Sequence, residues 1–457
     1  MPSAPPPNWQ SLADDTVRYL RDLIRLDTSN PPGNEMRAAE YIARILRAAG
    51  IEPIVIETAP QRGNVIARIK GDGSAAPLLL YSHTDVVPVE RERWTVDPFG
   101  GEVKDGFVYG RGALDMKGIT AMQLAVFLAF AQSSRRGELG LRRDLILAAT
   151  ADEEADTNQG IGILVERHPD LLRAEYALSE FGGYSLHIDN RCFYPIQTAE
   201  KGNVWMRMVA HGRPGHASIP QADNAVVHLA RAVDKLARTR LPARITPTAR
   251  AFIAGLAEGI GGGQSIALRA WLDMDALREV PLHRLVGDPG LAAELYAITH
   301  DTVVPTVLRA GYKTNVVPSS AEATLDCRTL PGSTPDTLIE ALRQSLGNDL
   351  PIEFEVDSSG EALEFPFDTP LFKLIERTLK QHDPQGIPLP YLMTGATDAK
   401  HVAKLGTICY GFSPMQFAPG ESFFEMVHGH DERVAISALA WGVRVLYEVV
   451  RDFCATA

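Results

Sequence analysis

Cysteine is scarce in this chain: four occur in 457 residues. Cys192, Cys327, Cys409 and Cys454 lie far apart and make no CxxC pair, which excludes a disulfide framework and a thiolate zinc knot. They read as buried thiols. Long apolar runs are missing too. The longest, AMQLAVFLAFA at 121–131, is too short to span a bilayer. No long basic run occurs and the formal net charge is −12, which argues against nucleic acid or an anionic membrane as a partner. Residues 1–15 lack a charged leader followed by an apolar stretch, so no secretory signal is read and a cytoplasmic protein is expected. Internal repeats and low-complexity segments are absent as well.

What is present is an ordinary globular composition, 45% apolar and 22% charged, in a chain longer than one typical domain. Apolar residues recur at helical spacing over 11–28 (Val17, Leu20, Leu23, Ile24) until Pro31, Pro32 and Gly33 interrupt them. A helix over 35–49 ends at Gly50. Strands are expected at 51–57, 64–69 and 77–82, and a buried helix at 117–132. Two more strands run into acids, at 144–154 and 176–181. Strands alternating with helices describe an α/β fold, a three-layer α/β/α domain around a mostly parallel sheet. Sites in such folds lie beyond the carboxyl ends of the strands.

The texture changes near residue 200. Strands at 205–212, 304–311, 321–330 and 351–356, with helices at 222–238 and 335–346, give a β-α-β-β-α-β order. A helical insertion falls near 240–300. From about 362 the first texture resumes, with a helix at 369–381, the strand GTICYGF at 406–412 and a last helix at 433–452. The expected division is a discontinuous domain of 1–199 and 362–457 and an inserted α+β domain of 200–361.

Two motifs carry the chemistry, YSHTDVVP at 81–88 and GRGALDMKG at 110–118. His83 and Asp85 are two apart and share one side of an extended segment. An imidazole backed by a carboxylate is a common pair at metal sites. Asp115, the doublet Glu153-Glu154, Glu180 and His428 follow along the chain. Two histidines with several carboxylates and no thiolate suit a hydrolytic two-metal centre. Such a centre needs a carboxylate to bridge its cations, and a free Glu beside the acidified water to move its proton.

Together these motifs resemble the co-catalytic zinc aminoacylase/carboxypeptidase family, also called metallopeptidase family M-twenty. The group includes acetylornithine deacetylase, succinyl-diaminopimelate desuccinylase, aminoacylase and glutamate carboxypeptidase. The resemblance covers about residues 15–450 through five motifs in the family's order. It implies a catalytic domain holding two Zn2+ (Co2+ or Mn2+ being acceptable to the same ligands), and a lid domain that pairs two subunits. His83 and Glu180 then resemble ligands of one metal, with Asp85 holding the His83 ring. Glu154 and His428 resemble ligands of the other, and the family spacing selects His428 over His430. Asp115 resembles the bridge, and the peptide after it is often cis in the family. Glu153 resembles the general base. His216 in GRPGHAS resembles a lid histidine that reaches the partner subunit's site and donates to the oxyanion. Asn315 and Arg328 resemble lid residues that hold the substrate, Arg328 gripping its carboxylate. Gly395 in TGATDA resembles a loop position whose backbone lines the pocket.

The implied activity is hydrolysis of an amide, N-acyl or C-terminal peptide, beside an amino acid with a free carboxylate. Its substrate would be a small N-acyl amino acid or short peptide, and its assembly a homodimer. Aminopeptidase-type members tend to carry Asp where this chain has Glu180, which favours an aminoacylase or carboxypeptidase-like activity. A dipeptidase or aminopeptidase on the same scaffold is the alternative, and a non-catalytic binding homologue a more distant one.

Overall fold

In a computed structural model the described residues are 6–155, 157–347 and 349–456. They form two compact units. The first holds the chain up to Thr198 together with Phe365–Tyr391 and the chain from Thr397 onward. The second comprises Ala199–Glu364 and Leu392–Ala396, the latter tied in by a hydrogen bond from Lys201 N to Met393 O.

The first unit is built on a sheet whose strands lie in the order Ile54–Ala59, Arg62–Ile69, Leu145–Thr150, Leu78–His83, Tyr176–Ser179, Ile408–Gly411 and Arg191–Glu200. The run from Leu145–Thr150 to Ile408–Gly411 is parallel, and the strands flanking it are antiparallel. The fold is thus α/β with a mostly parallel centre, as the alternation of elements predicts. Every residue of Leu78–His83, Leu145–Thr150 and Tyr176–Ser179 is buried. Side chains alternate between the two faces of a strand, so both faces of the sheet are covered.

Helix Lys117–Arg135 buries Lys117 through Leu128 without a break, which accounts for its apolar residues on all sides. Helix Trp9–Ile24 begins earlier than its apolar spacing suggests because the Asn8 side chain accepts from Ser11 N. It stops at Ile24, not residue 28. Thr28 Oγ1 donates to Thr84 O, and Asn30 N to Val86 O, drawing 28–30 out of the helix and onto the loop after His83. A small sheet of Glu102–Lys104, Phe107–Tyr109 and Arg433–Ala435, not anticipated from the sequence, brings the segment after His428 beside Gly110.

Parallel strands end together. His83 is in register with Thr150, and Gly411 with Ser179. The residues that follow these strands therefore gather at one end of the sheet, where Asp85, Glu153, Glu154 and Glu180 are found.

The second unit has a four-stranded antiparallel sheet in the order Thr302–Ala310, Ser320–Thr329, Gly202–His211 and Ile352–Ser359. Alternate residues Val204, Met206, Met208 and Ala210 and the series Ala323, Leu325 and Cys327 pack with Leu229, Leu338 and Leu342 of helices Ala225–Arg238 and Pro335–Leu346. The region 240–300 folds as helices Pro247–Ile260, Gly262–Asp273 and Pro289–Ala297.

Candidate metal centre

His83, 2% exposed, is the last residue of its strand. Its Nε2 lies 3.1 Å from Asp115 Oδ1 and 3.5 Å from Glu180 Oε2. Its Nδ1 lies 3.0 Å from the main-chain oxygen of Asp85 and 3.4 Å from Asp85 Oδ1. The peptide oxygen of Asp85 is thus nearer the ring than its carboxylate. That carboxylate accepts from Asn30 Nδ2 at 2.8 Å and from the backbone N–H groups of Glu153 and Glu154 at 3.2 and 3.1 Å. One buried acid therefore faces the imidazole on one side and positions the acidic doublet on the other.

Asp115 lies between two imidazoles. Its Oδ1 faces His83, and its Oδ2 lies 3.2 Å from His428 Nε2. His428 Nε2 is also 3.3 Å from Glu154 Oε1. Ligand atoms of His83, Glu153 and Glu180 lie within 4.8 Å of one another, as do those of His83, Asp115 and Glu154. The Asp115-Met116 peptide is cis. His430 lies elsewhere, with its Nε2 3.3 Å from Glu90.

Two buried arginines stand behind this cluster, and the motif reading passed over both. Arg111 Nη1 pairs with Glu432 Oε2 at 2.6 Å, and its Nη2 donates to His428 O at 3.1 Å. Glu432 Oε1 accepts from Leu114 N and Asp115 N at 2.8 and 3.2 Å. The pair thereby fixes the backbones of Asp115 and His428, which are far apart in sequence. Arg62 Nη2 bonds Glu35 Oε1 at 2.8 Å and Asp152 Oδ1 at 2.6 Å. Asp152, at φ +72°, opens the turn that carries Glu153 and Glu154. The signal was available for Arg111, inside GRGALDMKG. For Arg62 the sequence offers none, because Glu35 and Asp152 reach it only through the fold.

Burial pushes the Glu153 carboxyl well above the usual carboxylate range, with Glu180 adding to the shift. Burial also raises Glu154 and lifts Glu180 to about 8. Asp115 moves the other way: burial raises it, but His428 and His83 hold it below the usual range. His428 rises to about 10 beside Asp115 and Glu154. Buried acids crowded in this way are stabilised as anions by cations. Glu154 Oε1 is buried, with His428 Nε2 3.3 Å away but no well-formed hydrogen bond, a setting that a cation would complete. Two imidazoles, several carboxylates and no thiolate form a donor set that fits Zn, Co or Mn.

The remaining residues singled out by sequence belong to the second unit. His216 is exposed, pairs across a two-residue bridge with Val316, and lies with Nδ1 2.7 Å from Ser218 Oγ. Asn315 accepts from Ala217 N, so these two are neighbours. Arg328 engages Asp326 through Nε at 2.7 Å and Nη2 at 3.0 Å, so its fork is already occupied by a carboxylate. Gly395 falls in Leu392–Ala396, where an added Cβ would stand 2.9 Å from Met393 Cε.

Comparison with known proteins gives a consistent result. The profile of peptidase family M20/M25/M40 matches residues 79–452. The chain is 26% identical over 464 residues to the N-fatty-acyl-amino acid synthase/hydrolase PM20D1 of Xenopus tropicalis, covering 95% of this chain and 85% of that protein. It is 27% identical over 441 residues to human aminoacylase-1, covering 94% and 93%. Among solved structures, the metallo-carboxypeptidase Sso-CP2 of Sulfolobus solfataricus superposes with a TM-score of 0.68 at 18% identity, over 96% of this chain and 99% of that one.

Proposed function

The chain belongs to peptidase family M20/M25/M40 and is a metal-binding hydrolase of amide bonds, and from that premise we propose that it is a zinc-dependent aminoacylase or carboxypeptidase-like enzyme. Its substrate is then an N-acyl amino acid or short peptide with a free carboxylate. The observation that carries the reading is Asp115, whose two carboxylate oxygens face His83 and His428 on opposite sides. That arrangement supports a bridging role for Asp115.

His83 and Glu180 would hold one cation, Glu154 and His428 the other, and Asp115 would be a ligand to both. When bound, the cations supply Lewis acidity and an acidified water. Glu153, which ligates neither cation in this reading, takes a proton from the attacking water and delivers it to the leaving nitrogen. Asp85 keeps the His83 ring oriented. The Arg111–Glu432 and Arg62–Asp152 pairs keep the ligand backbones from shifting. His216, acting across a homodimer, donates to the oxyanion. Arg328 and Asn315 hold the substrate carboxylate and its neighbourhood, with Arg328 exchanging Asp326 for the incoming anion. The Gly395 backbone lines the pocket. No helix among the described residues is long and apolar enough to cross a membrane, and we place the enzyme in the cytoplasm.

The test is a substrate panel on zinc-loaded protein: N-acetyl and N-lauroyl amino acids, C-terminally free peptides blocked at the amine, and unblocked dipeptides. Turnover of the acylated compounds with little of the unblocked dipeptides supports the reading. The reverse preference makes the chain a dipeptidase or aminopeptidase.

A further inference from the structure

The second unit contains a cavity of about 670 Å3 among the helices of 240–300. That lies inside the range of about 300–1,000 Å3 usual for small-molecule sites. Leu241, Leu282, Ala292 and Tyr296 contribute apolar wall. The charged lining is lopsided, with Arg238, Arg240 and Arg278 against the single acid Glu279. Arg238 is paired with Asp234, and Arg278 with Asp275. Arg240 is exposed and has no ion pair or hydrogen bond among the described residues.

Two buried donors in the lining are also unsatisfied. Trp271 is 1% exposed and its indole N–H has no acceptor among the described residues; neither has the Nε–H of Arg278. Both atoms have almost no accessible surface, so neither faces the open space of the cavity. His300 contributes no competing charge. Its Nδ1 lies 2.9 Å from Tyr296 O, and its ring stacks on Tyr296 with centroids 4.0 Å apart.

We propose that this cavity is a binding site for an amphiphilic carboxylate, its chain against the apolar wall and its carboxylate on Arg240. An acceptor-only head meets the free guanidinium of Arg240, while an apolar chain displaces water from the rest. A neutral amphiphile would leave Arg240 unmatched, and a small hydrophilic anion would leave the apolar wall wet. The site shares no residue with the metal centre, so the two readings stand or fall separately. Its ligand has two sources, a free long-chain acid or an acid bearing an N-acylated amino acid.

Contact quenching of tryptophan fluorescence tests this on the zinc-loaded protein. Titration with 11-bromoundecanoate should give a saturable quench that Trp271→Phe removes and Arg240→Ala shifts to at least tenfold higher concentration. The alcohol 11-bromoundecanol should bind at least tenfold more weakly than the acid. Arg240→Ala should leave thermal stability and turnover of a short N-acetyl substrate unchanged, since Arg240 is exposed and remote in role from the chemistry. In a Glu153→Gln background, displacement of the probe by laurate identifies a free acid as the ligand, and displacement by N-lauroylglycine an acylated amino acid. A quench that persists in Trp271→Phe, equal binding of the alcohol, no effect of Arg240→Ala, or displacement by neither compound would overturn the proposal.

Discussion

Glu153 and Glu154 are adjacent, yet their surroundings differ, which supports the two roles proposed for them. Glu154 turns toward Asp115 and His428, where a ligand belongs, while Glu153 groups with His83 and Glu180. Glu153→Gln keeps the size of the side chain and removes its basicity. It is expected to retain both metals and the fold while losing about 10²–10⁴ in kcat, measured by metal analysis beside steady-state kinetics. Near-normal turnover would remove Glu153 from the base role. Arg62 tests a different kind of dependence. Its loss leaves Glu35 and Asp152 buried without their cation. Arg62→Met should therefore cost about 3–5 kcal/mol of stability in denaturant unfolding. A loss below 1 kcal/mol would show that the turn at Asp152 holds itself. At Arg328 the competing carboxylate is Asp326, so Asp326→Asn should lower KM for carboxylate substrates with little change in kcat. An unchanged or raised KM would argue that Arg328 does not grip the substrate.

Periodicity located the long elements because burial on one or both faces is written into their composition, as in Leu78–His83 and Lys117–Arg135. Ends were less legible where distant chain decided them. Helix Trp9–Ile24 ends where 28–30 pair with the loop after His83, a contact that no local pattern encodes. The sheet of Glu102–Lys104, Phe107–Tyr109 and Arg433–Ala435 escaped notice because three-residue strands are too short to show alternation. That sheet has a functional consequence, since it delivers Glu432 to the backbone of Asp115. Glu432→Gln is expected to weaken metal binding by about 10–100-fold, as loss of a residue supporting metal ligands does, with chelator competition as the measurement. Unchanged affinity would mean that the Gly110–Leu114 turn is rigid without it.

For the whole molecule, residues spread from His83 to His428 meet because parallel strands end together beside His83, while the Arg111–Glu432 pair fixes the backbones of Asp115 and His428. The residue types alone named most of this cluster, and Arg111 lies inside one of its motifs, whereas Arg62 became visible only when the fold joined it to Glu35 and Asp152. The proposed homodimer makes a prediction at the same scale. His216→Ala and Glu153→Gln should each be nearly inactive, and mixing them under subunit exchange should restore part of the activity. No recovery in verified mixed dimers would contradict sharing of a site between subunits.

The most direct test of the account is a crystal structure of zinc-loaded protein with anomalous data on both sides of the zinc absorption edge. The account predicts two zinc peaks per chain flanking the Asp115 carboxylate, one touching His83 and Glu180, the other Glu154 and His428. A single peak, or peaks that leave Asp115 touching neither, would contradict it.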